Sequence, residues 1–279
     1  MGTILPQRGI IYFMTSSTIQ PVIDECVPLF RKMAVGQYAV SIGGSHGKKL
    51  ADRFSDIDFR LFCDDELPDS PERTTLRSEF QSIMAKWRVQ GVEIDGVWVR
   101  RIAAIEADLA NWIHGKGKPE ERVWTIWGYY LLPDIANQMV VEDPFGVIAG
   151  WKDLLAVYPP SLKQAVLEKH LRSLRYWRQD YHYANKVQRG DPIFLAGLSA
   201  RLAHDMAQVL FALNEVYFTG DGSNLVYIDT FARKPANFSA RMTQALYPPI
   251  TTDRYAQQRQ LLIELIDEVI ALTEQYPGL

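Results

Sequence analysis

Residues 41–62 read SIGGSHGKKLADRFSDIDFRLF, and this stretch decides the fold of the first half of the chain. The preceding residues, QYAVSIGG (37–44), are strand-like and run into a glycine pair, a bend where backbone can approach a ligand closely. Ser45 adds a hydroxyl, and SHGKKLA can open a short helix whose free N–H groups favour anions. DIDFRLFC (56–63) then alternates strictly. Ile57, Phe59, Leu61 and Cys63 fall on one face, and Asp56, Asp58, Arg60 and Phe62 on the other. Two carboxylates on one face repel, and burying them unpaired is costly. A divalent cation resolves that conflict, because Mg²⁺ takes one or two carboxylates together with substrate phosphates. An Asp-x-Asp alone is usually a solvated strand face, and Gly-Gly-Ser alone a turn. Joined by a short helix between two strands, they read as a nucleotide–Mg²⁺ site. GGSHGKKL lacks the G-x-x-x-x-G-K-[ST] spacing, which excludes a P-loop.

Around this segment the apolar spacing predicts a helix over 21–33, packing through Val22, Ile23, Cys26, Leu29 and Phe30. An amphipathic helix is expected over 71–89 and a strand over 92–102, bent at Asp95-Gly96. A helix ending at Gly115 and a strand over 139–146 complete the first part. Strands interspersed with helices indicate an α/β or α+β domain. The composition changes near Pro159-Pro160. Beyond it, three long segments of 3.6 period (161–187, 191–218 and 252–276) predict a helical bundle. Leu167, Leu171, Leu174, Trp177, Tyr181 and Ala184 form the apolar stripe of the first. The second opens on an Asp191 cap with Pro192 in the first turn, and is apolar almost all round. GDGSN (220–224) reads as a turn in an irregular connection.

GGS followed after ten residues by DID resembles the signature of the DNA polymerase β-like nucleotidyltransferase superfamily. The chain is similar to the aminoglycoside and lincosamide nucleotidyltransferases of bacteria and to relatives with a helical C-terminal domain. The resemblance implies an α+β fold: a nucleotidyltransferase core, a small mixed sheet flanked by helices, over 1–157, then an all-α bundle over 158–279, with the active site between them. It implies that Gly43, Gly44 and Ser45 hold the β- and γ-phosphates of a nucleoside triphosphate. It makes Asp56 and Asp58 ligands of two Mg²⁺ ions, with a third carboxylate on the VEIDGVWV strand as ligand or general base. Alternation puts Glu93 and Asp95 on the same face. Glu93 sits between apolar residues, Asp95 precedes a glycine, and both stay in the catalytic and metal-ligand set. The implied reaction is in-line attack of a hydroxyl on the α-phosphorus with release of pyrophosphate.

Other polar residues have plain structural readings beside functional ones. Arg175, Gln179, His182, Lys186 and Arg189 recur at 4, 3, 4, 3 spacing as a cationic stripe, from which Lys186 and Arg189 are candidates to neutralise triphosphate; a solvated helix face is the alternative. Arg175-x6-His182 only loosely resembles the catalytic motif of small helical ribonucleases. Arg201, His204, Asp205 and Gln208 interrupt an apolar helix, either as a ligand cleft or as an internal hydrogen-bond network. His204 has no His, Cys or carboxylate partner at zincin spacing, so metal ligation by it is not expected. His46 reads as a surface-loop histidine. Trp124, Trp127, Tyr129 and Tyr130 read as a cluster buried against the sheet, and Glu142 and Asp143 as an acidic loop lip able to attract a cationic acceptor.

Composition narrows the class. The 279 residues carry 30 Lys+Arg against 33 Asp+Glu, a formal charge of −3, which offers no footprint for nucleic acid or anionic membrane. Two cysteines exclude a disulfide scaffold and a four-cysteine zinc site. No apolar run reaches a membrane span. The N-terminus lacks the cationic and small-residue features of a signal peptide, and Met14 reads as a second start with 1–13 an unstructured extension. The expectation is a cytoplasmic, Mg²⁺-dependent enzyme moving AMP from ATP to a hydroxyl of a small acceptor, such as an aminoglycoside-like antibiotic, with oligomerisation left open. Two alternatives are an antitoxin-type enzyme modifying a protein or tRNA, and a nucleotide-binding regulator without chemistry.

Overall fold

A computed structural model describes residues 16–274. The expected extension over 1–13 and the end of the last helix, expected at 276, lie outside the described residues. The first elements are α1 (Ser16–Met33), β1 (Ala34–Ile42), α2 (Gly44–Gly47), β2 (Ile57–Glu66), α3 (Pro71–Val89), β3 (Ile94–Arg101), α4 (Ile102–Ile113), α5 (Leu131–Asn137), β4 (Met139–Glu142) and α6 (Val147–Leu154). The strands form one mixed sheet in the order β3-β2-β1-β4. β1 is antiparallel to both neighbours, whereas β2 and β3 are parallel. A parallel pair needs a long crossover, and α3 supplies it. Ser70 caps that helix by accepting the Arg73 N–H at 3.1 Å, with Pro71 in the first turn.

α1 begins ahead of the expected residue 21 and runs through Pro21 and Pro28. These prolines lie seven apart on the exposed side, where water can satisfy the carbonyls they leave unbonded. The buried side presents Val22, Cys26 and Phe30, which join Leu76 and Phe80 of α3 against Val40, Ile42, Ile57, Phe59 and Leu61 of the sheet. Phe30 meets Phe59 edge-on at 5.1 Å. The face of β2 that carries Asp58 and Arg60 also carries Phe62, which is buried against Trp151 of α6. Helices on one face and α6 on the other make both sides of β2 partly interior, so Asp58 is removed from bulk solvent by the fold itself.

The helical elements are α7 (Pro160–Gln179), α8 (Tyr181–Arg189), α9 (Pro192–Leu213), α10 (Asn224–Thr230), α11 (Phe238–Leu246) and α12 (Arg254–Glu274). α9 is the buried centre: Leu198, Leu202, Met206, Val209 and Leu213 join one core with Leu171, Leu174 and Leu265 of its neighbours. The helix expected over 161–187 is broken. Asp180 leaves the helical conformation, and its carboxylate accepts the Tyr183 N–H at 3.1 Å, capping a new helix. The restart turns Tyr183 into the core and leaves Tyr181, expected in the apolar stripe, exposed. The 4, 3, 4, 3 cationic stripe is therefore split between two helices. α10 and α11 occupy the connection expected to be irregular.

The chain divides into two compact units. Among the described residues, one comprises 16–108 with 134–156, and the other 109–133 with 157–274. The aromatic segment expected against the sheet belongs to the helical unit. Trp127 stacks on His204 at 4.4 Å, Tyr130 meets Phe218 edge-on at 5.1 Å, and Trp124 is exposed. Cys26 and Cys63 are buried free thiols. No helix among the described residues is long and apolar enough to cross a membrane.

Candidate functional site

The site in the sheet unit starts where β1 ends. The Gly43 N–H donates to the Asp58 carbonyl at 2.9 Å, which ties the glycine pair to the first turn of β2. Gly44 has a φ of +57°, and a Cβ there would stand 1.9 Å from Asp58 Oδ2. Only glycine allows both the left-handed backbone and that approach. At Gly43 a Cβ would meet Asp134 Oδ1 at 2.8 Å and Arg60 Nη2 at 3.1 Å. The GG of the sequence is thus the place where backbone lies directly on the charged side chains. Ser45 Oγ is buried with no hydrogen-bond partner. His46, expected on a surface loop, is instead buried, because the single turn of α2 folds inward with Gly47 against the Asn137 carbonyl.

Asp56, Asp58 and Asp95 each offer an oxygen within 4.8 Å of the others. Asp56 directly precedes β2 and Asp58 is its second residue, so one-face alternation brings them together. Asp95 arrives through a bulge. Ile57 pairs with Ile94 but Asp58 pairs with Gly96, leaving Asp95 as an extra residue in β3. Gly96 takes a φ of +130° to make that possible. A bulge re-aims the side chain it carries, and here it breaks the alternation that put Glu93 and Asp95 on one face. Glu93 does not join the group. It lies before β3, exposed, and its carboxylate pairs with the Arg88 guanidinium, whose hydrogen bonds hold it below the usual range.

Asp58 is the electrostatic centre. Burial pushes its carboxyl up to about 6; Arg60 opposes the shift, and Asp56, Asp95 and Asp134 add to it. Arg60 reaches Asp58 Oδ1 at 3.8 Å and Asp134 Oδ2 at 3.3 Å, with its guanidinium over Trp98. Gln138 Nε2 donates to Asp134 at 3.4 Å, and Ser41 Oγ donates to Gln138 Oε1 at 2.6 Å. Burial lowers the Lys48 ammonium, against the pull of Asp134 and Asp58. Arg60, Asp134, Lys48 and Gln138 went unnoticed as site residues in the sequence. Asp134 meets Arg60 across 74 positions, so no local pattern marks the pair.

The remaining candidates have other partners. Glu142 accepts from Arg31 at 2.8 Å and from the Tyr38 hydroxyl, and Asp143 caps α6 through the N–H groups of Val147 and Ala149. Neither is a free acidic lip. In the helical unit, Lys186 pairs with Asp191 at 2.9 Å and lies over the Phe194 ring, and Arg189 is exposed in the last turn of α8.

Comparison with known proteins yields a family model described as "Domain of unknown function (DUF4037)", which matches residues 125–220. That window includes Asp134 and Gln138 but not Gly43–Ser45 or the three aspartates. No curated protein matches the chain.

Proposed function

We propose that the sheet unit is the catalytic part of a Mg²⁺-dependent nucleotidyltransferase that moves a nucleoside monophosphate, AMP from ATP, to a hydroxyl of a small acceptor with release of pyrophosphate. The observation that carries this reading is the meeting of Asp56, Asp58 and Asp95 within 4.8 Å. They stand beside a glycine whose backbone touches Asp58 and a serine whose buried hydroxyl lacks a partner.

The residues fit a hard divalent cation. Three carboxylates supply oxygens only, which suits Mg²⁺ rather than a softer ion. Burial and three like charges disfavour the ionised form of Asp58, and a bound cation would offset that cost. Asp56, Asp58 and Asp95 would hold the ion. Bound Mg²⁺ supplies charge neutralisation to the attacking and leaving oxygens.

The chain does the positioning. Gly43-Gly44 backbone and Ser45 Oγ take the β- and γ-phosphates, with Lys48 adding positive charge beside them. Arg60, anchored on Asp134, fixes the Asp58 carboxylate. Asp95, the exposed member of the three, accepts the proton of the acceptor hydroxyl as the new oxygen–phosphorus bond forms and the bond to pyrophosphate breaks.

Titration calorimetry of ATP with and without Mg²⁺, on wild type and on Asp56→Asn/Asp58→Asn, tests the reading. Mg²⁺-dependent binding lost in the variant is expected, followed by pyrophosphate release in an acceptor screen. A folded wild-type protein that binds no nucleotide in a metal-dependent way refutes it. Tight ATP binding without pyrophosphate release over a broad panel would favour a regulator instead.

A further inference from the structure

The helical unit contains a second cluster that the nucleotidyltransferase reading does not use. His170 of α7 and His204 and Asp205 of α9 each offer a donor atom within 4.8 Å of the others. His170 Nδ1 lies 2.6 Å from Asp205 Oδ1, and His204 Nδ1 faces the same oxygen at 3.9 Å. The two rings stand 5.4 Å apart at 75°, so both imidazoles converge on one carboxylate from different directions. The side chains of His170 and Asp205 are only 5% and 6% exposed.

Asp205 Oδ2 is buried and accepts no hydrogen bond. The cation beside it, Arg201, stands at 3.9 Å on a largely exposed side chain. The His170 hydrogen bond serves Oδ1 alone, so Oδ2 keeps only one distant guanidinium as compensation. The set of two imidazoles and a carboxylate is that of three-ligand zinc centres. Nitrogen donors also select a first-row transition ion over Mg²⁺.

The surroundings hold His204 as a ligand is held. Its ring stacks on Trp127, tilted by only 12°. Its Nε2 lies 3.3 Å from the Tyr130 hydroxyl and 3.2 Å from Gln208 Nε2, which also donates to that hydroxyl at 2.8 Å. An ion on Nδ1 selects the Nε2–H tautomer, with that proton directed at the Tyr130 hydroxyl and the Gln208 amide turned to present its oxygen.

We propose that His170, His204 and Asp205 form a zinc-class transition-metal site that clamps α7 to α9, with Asp205 Oδ2 or a solvent oxygen as the fourth donor and Trp127, Tyr130 and Gln208 as its supporting layer. His170 and Asp205 are buried there and His204 partly so. It stands independently of the aspartate cluster, which lies in the other unit and offers oxygen alone.

The test uses the full chain, stripped with chelator, in an Asp56→Asn/Asp58→Asn background so that the aspartate cluster keeps only one of its three carboxylates. Zn²⁺ is titrated by calorimetry, and the ion retained after gel filtration is measured by atomic emission. Co²⁺ substitution reports ligand geometry by its visible absorption. One retained equivalent, a raised melting temperature and low-coordinate Co²⁺ bands are expected. His204→Gln and Asp205→Asn, close in size to the native residues, should abolish retention. Tyr130→Phe should weaken binding by about 10- to 100-fold, as expected for a supporting hydrogen bond. A folded protein that retains no Zn²⁺, or retains it equally in His204→Gln and Asp205→Asn, overturns the proposal and leaves His170–Asp205 as an ordinary buried hydrogen-bonded pair.

Discussion

Replacing Asp58 with asparagine should stabilise the metal-free sheet unit at neutral pH. The native carboxyl sits near 6, against an ordinary value of 3.8, chiefly through burial. That difference, 6 − 3.8 = 2.2, amounts to about 3 kcal/mol at roughly 1.4 kcal/mol per pK unit. The direction follows from proton binding. The folded carboxyl holds its proton more tightly than the unfolded one, so native stability falls as pH rises from about 4 to about 6 and is level above that. Asparagine keeps the shape and carries no charge, and Arg60 stays compensated by Asp134 at 3.3 Å. In chelator, Asp58→Asn should gain about 3 kcal/mol over wild type at pH 7.5, and the gain should drop below about 1 kcal/mol by pH 4. Urea titration read by hydrogen exchange of the β1–β2 peptides reports this unit by itself. Saturating Mg²⁺ should erase the advantage, because wild type gains a ligand-linked term that the variant lacks. A variant less stable than wild type at pH 7.5 in chelator, or a gain equal at pH 4 and 7.5, refutes the assignment of Asp58 as a carboxylate held against burial and repulsion.

Asp95→Asn and Glu93→Gln separate the two acids of the third strand: the first should lower turnover by about 100-fold or more, as loss of a general base does, and the second should leave it within about twofold of wild type. Pyrophosphate release measures both, and the opposite ranking would show that the bulge does not decide the third ligand. Gly44→Ala should cost about 1–2 kcal/mol from the left-handed backbone alone and should also displace Asp58, so a melt shows destabilisation and calorimetry shows loss of Mg²⁺·ATP binding. Ser45→Ala should leave stability unchanged or raised, since its buried Oγ has no partner to lose, while weakening ATP; a clear loss of stability would reveal a structural role. Asp180→Ala removes the cap of α8 and should cost about 1 kcal/mol, measured as a lower urea midpoint with protection lost first over 181–189.

What could be read from the sequence was local. Period-two alternation placed Asp56 and Asp58 on one face and Ile57, Phe59 and Leu61 on the other, and the structure keeps both sets. Gly43-Gly44 and the cap at Asp191 lie next to the elements they shape. The misplaced elements depend on choices that local pattern leaves undecided. Asp180 reads equally well inside a helix or as a cap, and tertiary burial of Tyr183 selects the cap. Glu93 and Asp95 differ only by a bulge, and the signal for it was Gly96, a residue able to take φ of +130°. The Arg60–Asp134 pair and the His170–Asp205 pair span 74 and 35 positions, so their geometry is set by packing and not by spacing. A search for zincin spacing around His204 fails for that reason: its partner carboxylate is the next residue, and its partner histidine arrives on another helix.

The two proposed sites differ in the ions their donors would select. Asp56, Asp58 and Asp95 present oxygens alone with Asp95 exposed, an open arrangement that leaves room for phosphate and water around a strongly hydrated cation. His170, His204 and Asp205 present two nitrogens and one oxygen at a mostly buried position, a donor set that suits a softer first-row ion better than a strongly hydrated one. Mg²⁺ loading of the sheet unit should therefore be insensitive to His204→Gln, and Zn²⁺ retention should be insensitive to Asp56→Asn/Asp58→Asn. Parallel metal analysis of both variants makes the separation measurable: each substitution should empty its own site and leave the other filled. Loss of both ions from either variant would mean that the two units do not hold their ions independently.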